Sequence, residues 1–405
     1  MRRNLISLRY ASMRVWILLL CPFLSVFHTL NAQKAEVKQI LAEVNLDSLL
    51  FTVKQLTGIE PVSINGQQQK IYSRYSTQTP NAWAGIYLKN RLAAYGYTMS
   101  TQLFDATGEN IIAYKEGTLY PNKAFVMCAH YDAIAFPYDQ AVGADDNASG
   151  CAAVMEAARL LKDSDFPFSL YFVFFDEEEQ GLVGSIAFND QFDFDQHEIR
   201  AVFNLDMIAY DDNLDNRAEI HTRPYANSIE LANKIIGLND TFQIGLDLSI
   251  KNPGTTASDH DAFWQNDKTA ILLIEDKMDF NRYYHTKFDS VQYFHDSFFY
   301  KNTLFAIAAL TWFASDKHNT LSIKGMDMSS LSIYPNPSHG SFTIEYEEAG
   351  ILEIYAMDGK LLGCYTTQTG RTAISLNENN HSQQVIIKFH TESHSFPPKL
   401  LLLTQ

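Results

Sequence analysis

Ser169-Leu170-Tyr171-Phe172-Val173-Phe174-Phe175-Asp176-Glu177-Glu178-Glu179 is the stretch on which the fold turns. The apolar run has no alternation, so it suits a strand covered on both faces, as in a sheet sandwiched between helices. It stops abruptly at four acids, which puts Asp176 to Glu179 at the strand's carboxyl end. Working outward, comparable runs predict strands at 124–128, 201–205 and 269–274. Helical periodicity lies between and around them, near 37–57, 80–96, 149–162, 226–237 and 300–314. In the second of these, Trp83, Ile86, Tyr87, Leu92 and Ala93 share a face and Gly96 ends the helix. The alternation predicts an α/β three-layer sandwich with a mostly parallel central sheet.

The texture changes after Ser315. A short polar stretch leads to Pro335, Pro337 and Gly340, then to alternating runs at 341–346 and 351–356, which predict a small C-terminal β-sandwich. The N-terminus is basic through Arg14, apolar from Val15 through Leu20 and on to Leu30, and closes with Leu30-Asn31-Ala32, the pattern of a secretory signal peptide. Pro22 and His28 interrupt that run, against a membrane span. The expected organisation is therefore a signal peptide at 1–32, a main domain at 33–318, a linker at 319–330 and the β-sandwich at 331–405.

The 405 residues carry a formal charge of −16; loss of residues 1–32 removes four arginines and no acid, leaving 27 basic against 47 acidic residues. Such a surface repels a phosphate backbone and argues against nucleic acid as a partner. Cys128, Cys151 and Cys364 remain, an odd number that predicts free thiols rather than a disulfide framework.

In open α/β sheets, reactive groups gather beyond the carboxyl ends of the strands. Here the strand ends deliver His130 and Asp132, then Asp176 to Glu179, then Asp206. Loops add Gly143-Ala144-Asp145-Asp146-Asn147-Ala148-Ser149-Gly150 before a helix, and Tyr284-His285 far downstream. So many carboxylates in one cleft need a compensating cation. Mixed imidazole and carboxylate donors suit zinc, manganese or cobalt rather than calcium. Two divalent ions, three carboxylates and a bridging hydroxide would be electrically neutral.

The segments AHYDA, GADDNASG, FFDEEEQGLVGS, NLDMIAY and YYHTKFDSV, in this order over about residues 80–315, resemble the motif series of the dizinc aminopeptidase family. That family includes bacterial leucyl aminopeptidases and, as a single-zinc branch, glutaminyl cyclases. The resemblance implies a zinc exopeptidase fold with two Zn2+ per chain, acting on peptides with a free N-terminus. It implies that Asp146 bridges the metals, that His130 and Asp206 complete one zinc site, and that Glu179 and His285 complete the other. Glu178 would be the general base and acid, Asp132 would fix the His130 tautomer, Tyr284 would face the oxyanion, and the Asp146–Asn147 peptide would be cis. The family's glutamate pair precedes a residue and a glycine, here Gln180 and Gly181, which leaves Glu177 without a role. Residues 258–263 also resemble a family segment near the substrate pocket, with Asp259 and His260 divided between pocket and loop-forming roles.

The C-terminal region, with Tyr334-Pro335-Asn336-Pro337, Gly340 and the Met357-Asp358-Gly359-Lys360 turn, resembles the sorting domain of proteins exported through the type IX secretion system. That resemblance implies the secretion machinery as a partner and a secreted or cell-surface location reached through the periplasm. Open alternatives are a glutaminyl-peptide cyclotransferase, a carboxypeptidase or dipeptidase on the same scaffold, and an inactive metal-bearing binding protein. The free acid Glu178 beside a ligand argues against the last, because a structural metal site has no use for it.

Overall fold

A computed structural model describes residues 32–316 continuously and, beyond them, a set of strands between 332 and 402. Residues 1–31 of the expected signal peptide, the 319–330 linker, the Pro335-Asn336-Pro337 element and the turn at 357–359 lie outside the described residues. The chain divides into two compact units near residue 319.

In the first unit, helices α1 (residues 32–42) and α2 (Leu46–Leu56) lead to a short hairpin of β1 (Val62–Ile64) and β2 (Gln67–Gln69), then to α3 (Thr79–Ala94). The continuous helix expected near 37–57 is thus two helices. Asn45 breaks it: its side chain accepts a hydrogen bond from the Ser48 amide, 2.9 Å away, and so caps α2 from extended backbone.

The central sheet has eight strands: β3 (Thr98–Leu103), β4 (Glu109–Lys115), β5 (Tyr120–His130), β6 (Phe168–Phe175), β7 (Glu198–Leu205), β8 (Arg217–His221), β9 (Asp247–Lys251) and β10 (Ala270–Glu275). Their spatial order is β3-β4-β6-β5-β7-β10-β8-β9. The core β6-β5-β7-β10 is parallel, as is β8 with β9, while β3, β4 and the β10–β8 junction pair antiparallel. Only the central strands were expected from the apolar runs. Edge strand β3 lacks such a run because it has no buried face.

Helices α4 (Gly150–Leu161), α5 (Val183–Gln191), α6 (Ser228–Phe242), α7 (His260–Gln265) and α8 (Asp296–Ser315) complete the unit. Val126, Cys128, Val173, Phe175 and Val202 point to one face, where Phe188 of α5 and Phe263 and Trp264 of α7 cover them. Phe125 and Phe203 point the other way and meet Phe313 of α8, with ring centroids 6.2 and 6.4 Å apart. Burial on both faces is what the unalternating apolar run encodes. Cys128 and Cys151 are buried free thiols, as expected. No helix among the described residues is long and apolar enough to cross a membrane.

In the second unit, β11 (Ser332–Tyr334), β12 (Ser341–Tyr346) and β15 (Gly370–Ser375) form one sheet. β13 (Gly350–Ala356), β14 (Leu361–Thr367), β16 (Gln384–Thr391) and β17 (Lys399–Leu402) form the other. Phe342, Ile344 and Ile374 from the first pack in one core with Leu352, Ile354, Val385, Ile387 and Phe389 from the second, giving the small sandwich.

Candidate metal centre

His130 ends β5, Asp206 follows β7, and the acids follow β6, so the parallel strands bring them to one edge of the sheet. Two loops close over that edge. One is the tight turn at 144–149, which contains the cis peptide Asp146–Asn147 and runs into α4. The other carries Tyr284 and His285.

Asp146 lies between the two imidazoles. Its Oδ1 stands 3.3 Å from His130 Nε2 and its Oδ2 stands 3.3 Å from His285 Nε2. Asp206 Oδ1 is 3.4 Å from His130 Nε2, and Glu179 Oε2 is 2.9 Å from His285 Nε2. Ligating atoms of His130, Glu178 and Asp206 lie within 4.8 Å of one another, and so do those of Asp146, Glu179 and His285. All five expected ligands and Glu178 thus meet in one place. Glu178, expected as the general base rather than a ligand, is itself a member of the first group.

The donor set fits zinc. His130 Nε2 and Asp206 Oδ1 are buried without a hydrogen-bond partner, an expense that a cation between them removes. The acids show the same frustration. Burial pushes Glu178 well above the usual carboxylate range, and burial, helped by the Asp146 charge, takes Glu179 to about 8. Burial would also raise Asp146, but hydrogen bonding to His130 and His285 holds it below its ordinary value. His285 is driven up to about 10 by Asp146 and Glu179 against the opposing effect of burial.

Behind these groups stands a second ring of acids. Asp132, fully buried, has Oδ1 3.3 Å from His130 Nδ1 and accepts hydrogen bonds from the amides of Glu178 and Glu179 at 3.0 and 3.2 Å. One carboxylate therefore aligns an imidazole and the turn bearing both glutamates. Asp289 does the equivalent for the other side, accepting from the amides of Asp145 and Asp146 at 3.0 Å each. Asn281 links Asp289 to Asp145, whose Oδ1 accepts from the Ala209 amide.

The loop before Asp146 is gripped by Arg74. Its buried guanidinium donates to the carbonyls of Tyr131 at 2.6 Å, Leu56 at 3.0 Å, Gly143 at 2.6 Å and Val142, and it has no carboxylate partner among the described residues. The sequence offers no signal for Arg74, which sits in a polar stretch of no periodicity. Asp145 and Asp289 were visible only as parts of longer motifs. Ser258 Oγ donates to Asp206 Oδ2 at 2.7 Å, so that segment reaches the site through its serine. Asp259 is buried beside Glu178 and Asp206, and burial lifts it to about 7. His260 Nε2 donates to the Thr255 carbonyl at 2.9 Å and its ring meets Trp264, a structural role. Glu177 is buried at a positive φ of 58° in the turn after β6 and lines no part of the cavity.

A cavity of about 740 Å3 opens on the cluster. Asp146, Glu178, Glu179 and Asp206 form one part of its wall, Tyr284 and Phe280 another. The Tyr284 ring stacks on His285 with centroids 3.6 Å apart.

Residues 110–310 match the model of peptidase family M28, and residues 332–391 match that of the secretion system C-terminal sorting domain. Leucine aminopeptidase 1 of Paracoccidioides brasiliensis is 25% identical over 283 residues, spanning 64% of this chain and 68% of that protein. Two solved structures share the fold. The LapA aminopeptidase of Legionella pneumophila superposes with a TM-score of 0.59 at 24% identity, over 70% of this chain and 74% of its own. The glutaminyl cyclase of Bacteroides thetaiotaomicron does so with 0.54 at 18%, over 68% and 99%.

Proposed function

From the match of residues 110–310 to the model of peptidase family M28, we propose an exported zinc aminopeptidase that removes the N-terminal residue of peptides and holds two metal ions. The observation that carries this reading is the pair of ligand groups straddled by Asp146, with Glu178 facing the same cavity. His130, Asp146 and Asp206 would hold one zinc, and Asp146, Glu179 and His285 the other. When bound, the ions supply an acidified water and a polarised peptide carbonyl.

Within that frame, Glu178 takes the proton of the attacking water as the new C–O bond forms. It then delivers the proton to the departing nitrogen as the C–N bond breaks. The acidic wall receives the free N-terminal ammonium of the peptide, which selects an exopeptidase substrate. The sorting-domain match supports passage to the outside, and residues 1–32 supply the signal for the first membrane.

Asp132 positions the site without touching substrate. The Asp132→Asn protein is expected to lose about 10- to 100-fold in zinc affinity, measured by chelator competition, because an amide cannot accept from both glutamate amides and His130 together. Tyr284 offers a phenolic donor at the cavity wall. Tyr284→Phe is expected to lower kcat about 10- to 100-fold with little change in KM, whereas an unchanged kcat would reduce Tyr284 to a packing partner of His285.

The reading is tested with aminoacyl p-nitroanilides, N-acetylated controls and glutaminyl peptides, with zinc measured on the same sample. Cleavage of free-amine substrates alone, at about two zinc ions per chain, is the expected result. Cyclisation of glutaminyl peptides without cleavage would replace it with a cyclotransferase.

A further inference from the structure

The cavity continues away from the ligand cluster to the edge of the sheet that the sequence did not reveal. There β8 and β9 present Glu219, His221 and Lys251 to it, and the turn after β10 presents Lys277. The strands run in register: Leu272 of β10 stands opposite His221, and His221 opposite Lys251. Two strand spacings separate β7, which ends beside Asp206, from β8, and three separate it from β9, about 10 and 14 Å.

Glu219 is buried and already satisfied. Its Oε1 lies 2.9 Å from Lys251 Nζ, and its Oε2 accepts from His221 Nε2 at 2.9 Å. His221 Nδ1 in turn accepts from the Thr255 amide at 2.8 Å, which fixes the ring as the neutral tautomer with its proton on Nε2. Gly254 permits this close approach: a Cβ there would sit 2.6 Å from that of His221. The carboxylate is therefore shared between Lys251 and the neutral imidazole, and among Glu219, His221, Lys251 and Lys277 one positive charge is left unbalanced, that of Lys277. Lys251 has donors beyond the one given to Glu219, and Lys277 has no ion-pair partner among the described residues. Both lysines lie near enough to His221 to add to the depression of its basicity that burial begins. Met207, Ile274, Met278 and Phe280 line the same cavity with apolar surface.

We propose that Lys251, supported by Lys277, binds a carboxylate of the substrate. The preferred source is the side chain of an N-terminal glutamate or aspartate, whose methylenes would lie along the apolar wall. This inference deepens the aminopeptidase reading by naming its substrate class. It rests on that reading for catalysis but not for binding. The second source of the same chemistry is the terminal carboxylate of a dipeptide.

The test uses the full zinc-loaded chain, and its Lys251→Met and Lys277→Met variants, in two arms. Calorimetry compares free glutamate with free leucine, and kinetics compare glutamyl with leucyl p-nitroanilide and leucyl-glycine with leucyl-glycinamide. Expected is tighter binding of glutamate than leucine, with the glutamate-to-leucine ratio falling about 10-fold or more in Lys251→Met and by less in Lys277→Met. Preference for leucyl-glycine over its amide, lost in the same variants, would assign the carboxylate to the peptide terminus. Lysine-dependent glutamate binding without any hydrolysis would uphold this site and overturn the aminopeptidase reading. A wild-type preference for leucine in both arms, or variants that depress glutamate and leucine equally, would overturn the lysine assignment.

Discussion

Glu178→Gln lowers kcat by about 10³- to 10⁴-fold while the protein keeps its zinc. The amide is the same size and still accepts a hydrogen bond, so packing around it is preserved, but it cannot take a proton from water. The neighbouring ligands are held independently of it: Asp132 anchors the Glu179 amide, and His285 faces Glu179 rather than Glu178. Metal content by atomic absorption and kcat on leucyl and glutamyl p-nitroanilides are therefore expected to separate. Loss of one zinc in parallel with activity would show instead that Glu178, which lies within 4.8 Å of His130 and Asp206 ligand atoms, is itself a ligand.

Arg74→Met is expected to cost about 3–5 kcal/mol of folding stability, seen as a lowered denaturation midpoint. The thioether replaces the stem's apolar contacts but leaves the carbonyls of Leu56, Tyr131, Val142 and Gly143 without their donor. Because Gly143 begins the turn that presents Asp146, zinc affinity falls with stability. Arg74→Lys is not expected to rescue it, since one ammonium cannot reproduce a planar fork reaching four acceptors. A variant within about 1 kcal/mol of the parent would mean that water enters and satisfies these carbonyls.

The sequence disclosed what burial writes into composition. Strands β5, β6, β7 and β10 are covered on both faces and appear as apolar runs, and their carboxyl ends could be read off directly. It was silent where a residue acts through hydrogen bonds to distant backbone. Arg74 binds carbonyls at 56, 131, 142 and 143, and no local pattern marks a side chain whose partners are scattered in this way. Asp289 was within a recognisable segment, yet its task depends on a loop far upstream. β8 escaped because it is short and, although buried, sets Ala218 and Ile220 among Arg217, Glu219 and His221, and β9 because it is short and half-exposed at the sheet margin. With them went the Glu219, His221 and Lys251 wall.

The span bridged by Asp289 also sets a clock. Its carboxylate holds the amides of Asp145 and Asp146 from 144 and 143 residues away, and His285 emerges only a few residues before it. A ribosome adding about 5–20 residues each second needs about 7 to 30 seconds to cover that distance. Until then the growing polypeptide owns His130, its glutamates and Asp206, but neither the second imidazole nor the clasp on the Asp146 turn. On the proposed reading, the ligand set is thus completed in one late step of synthesis rather than accumulating along it.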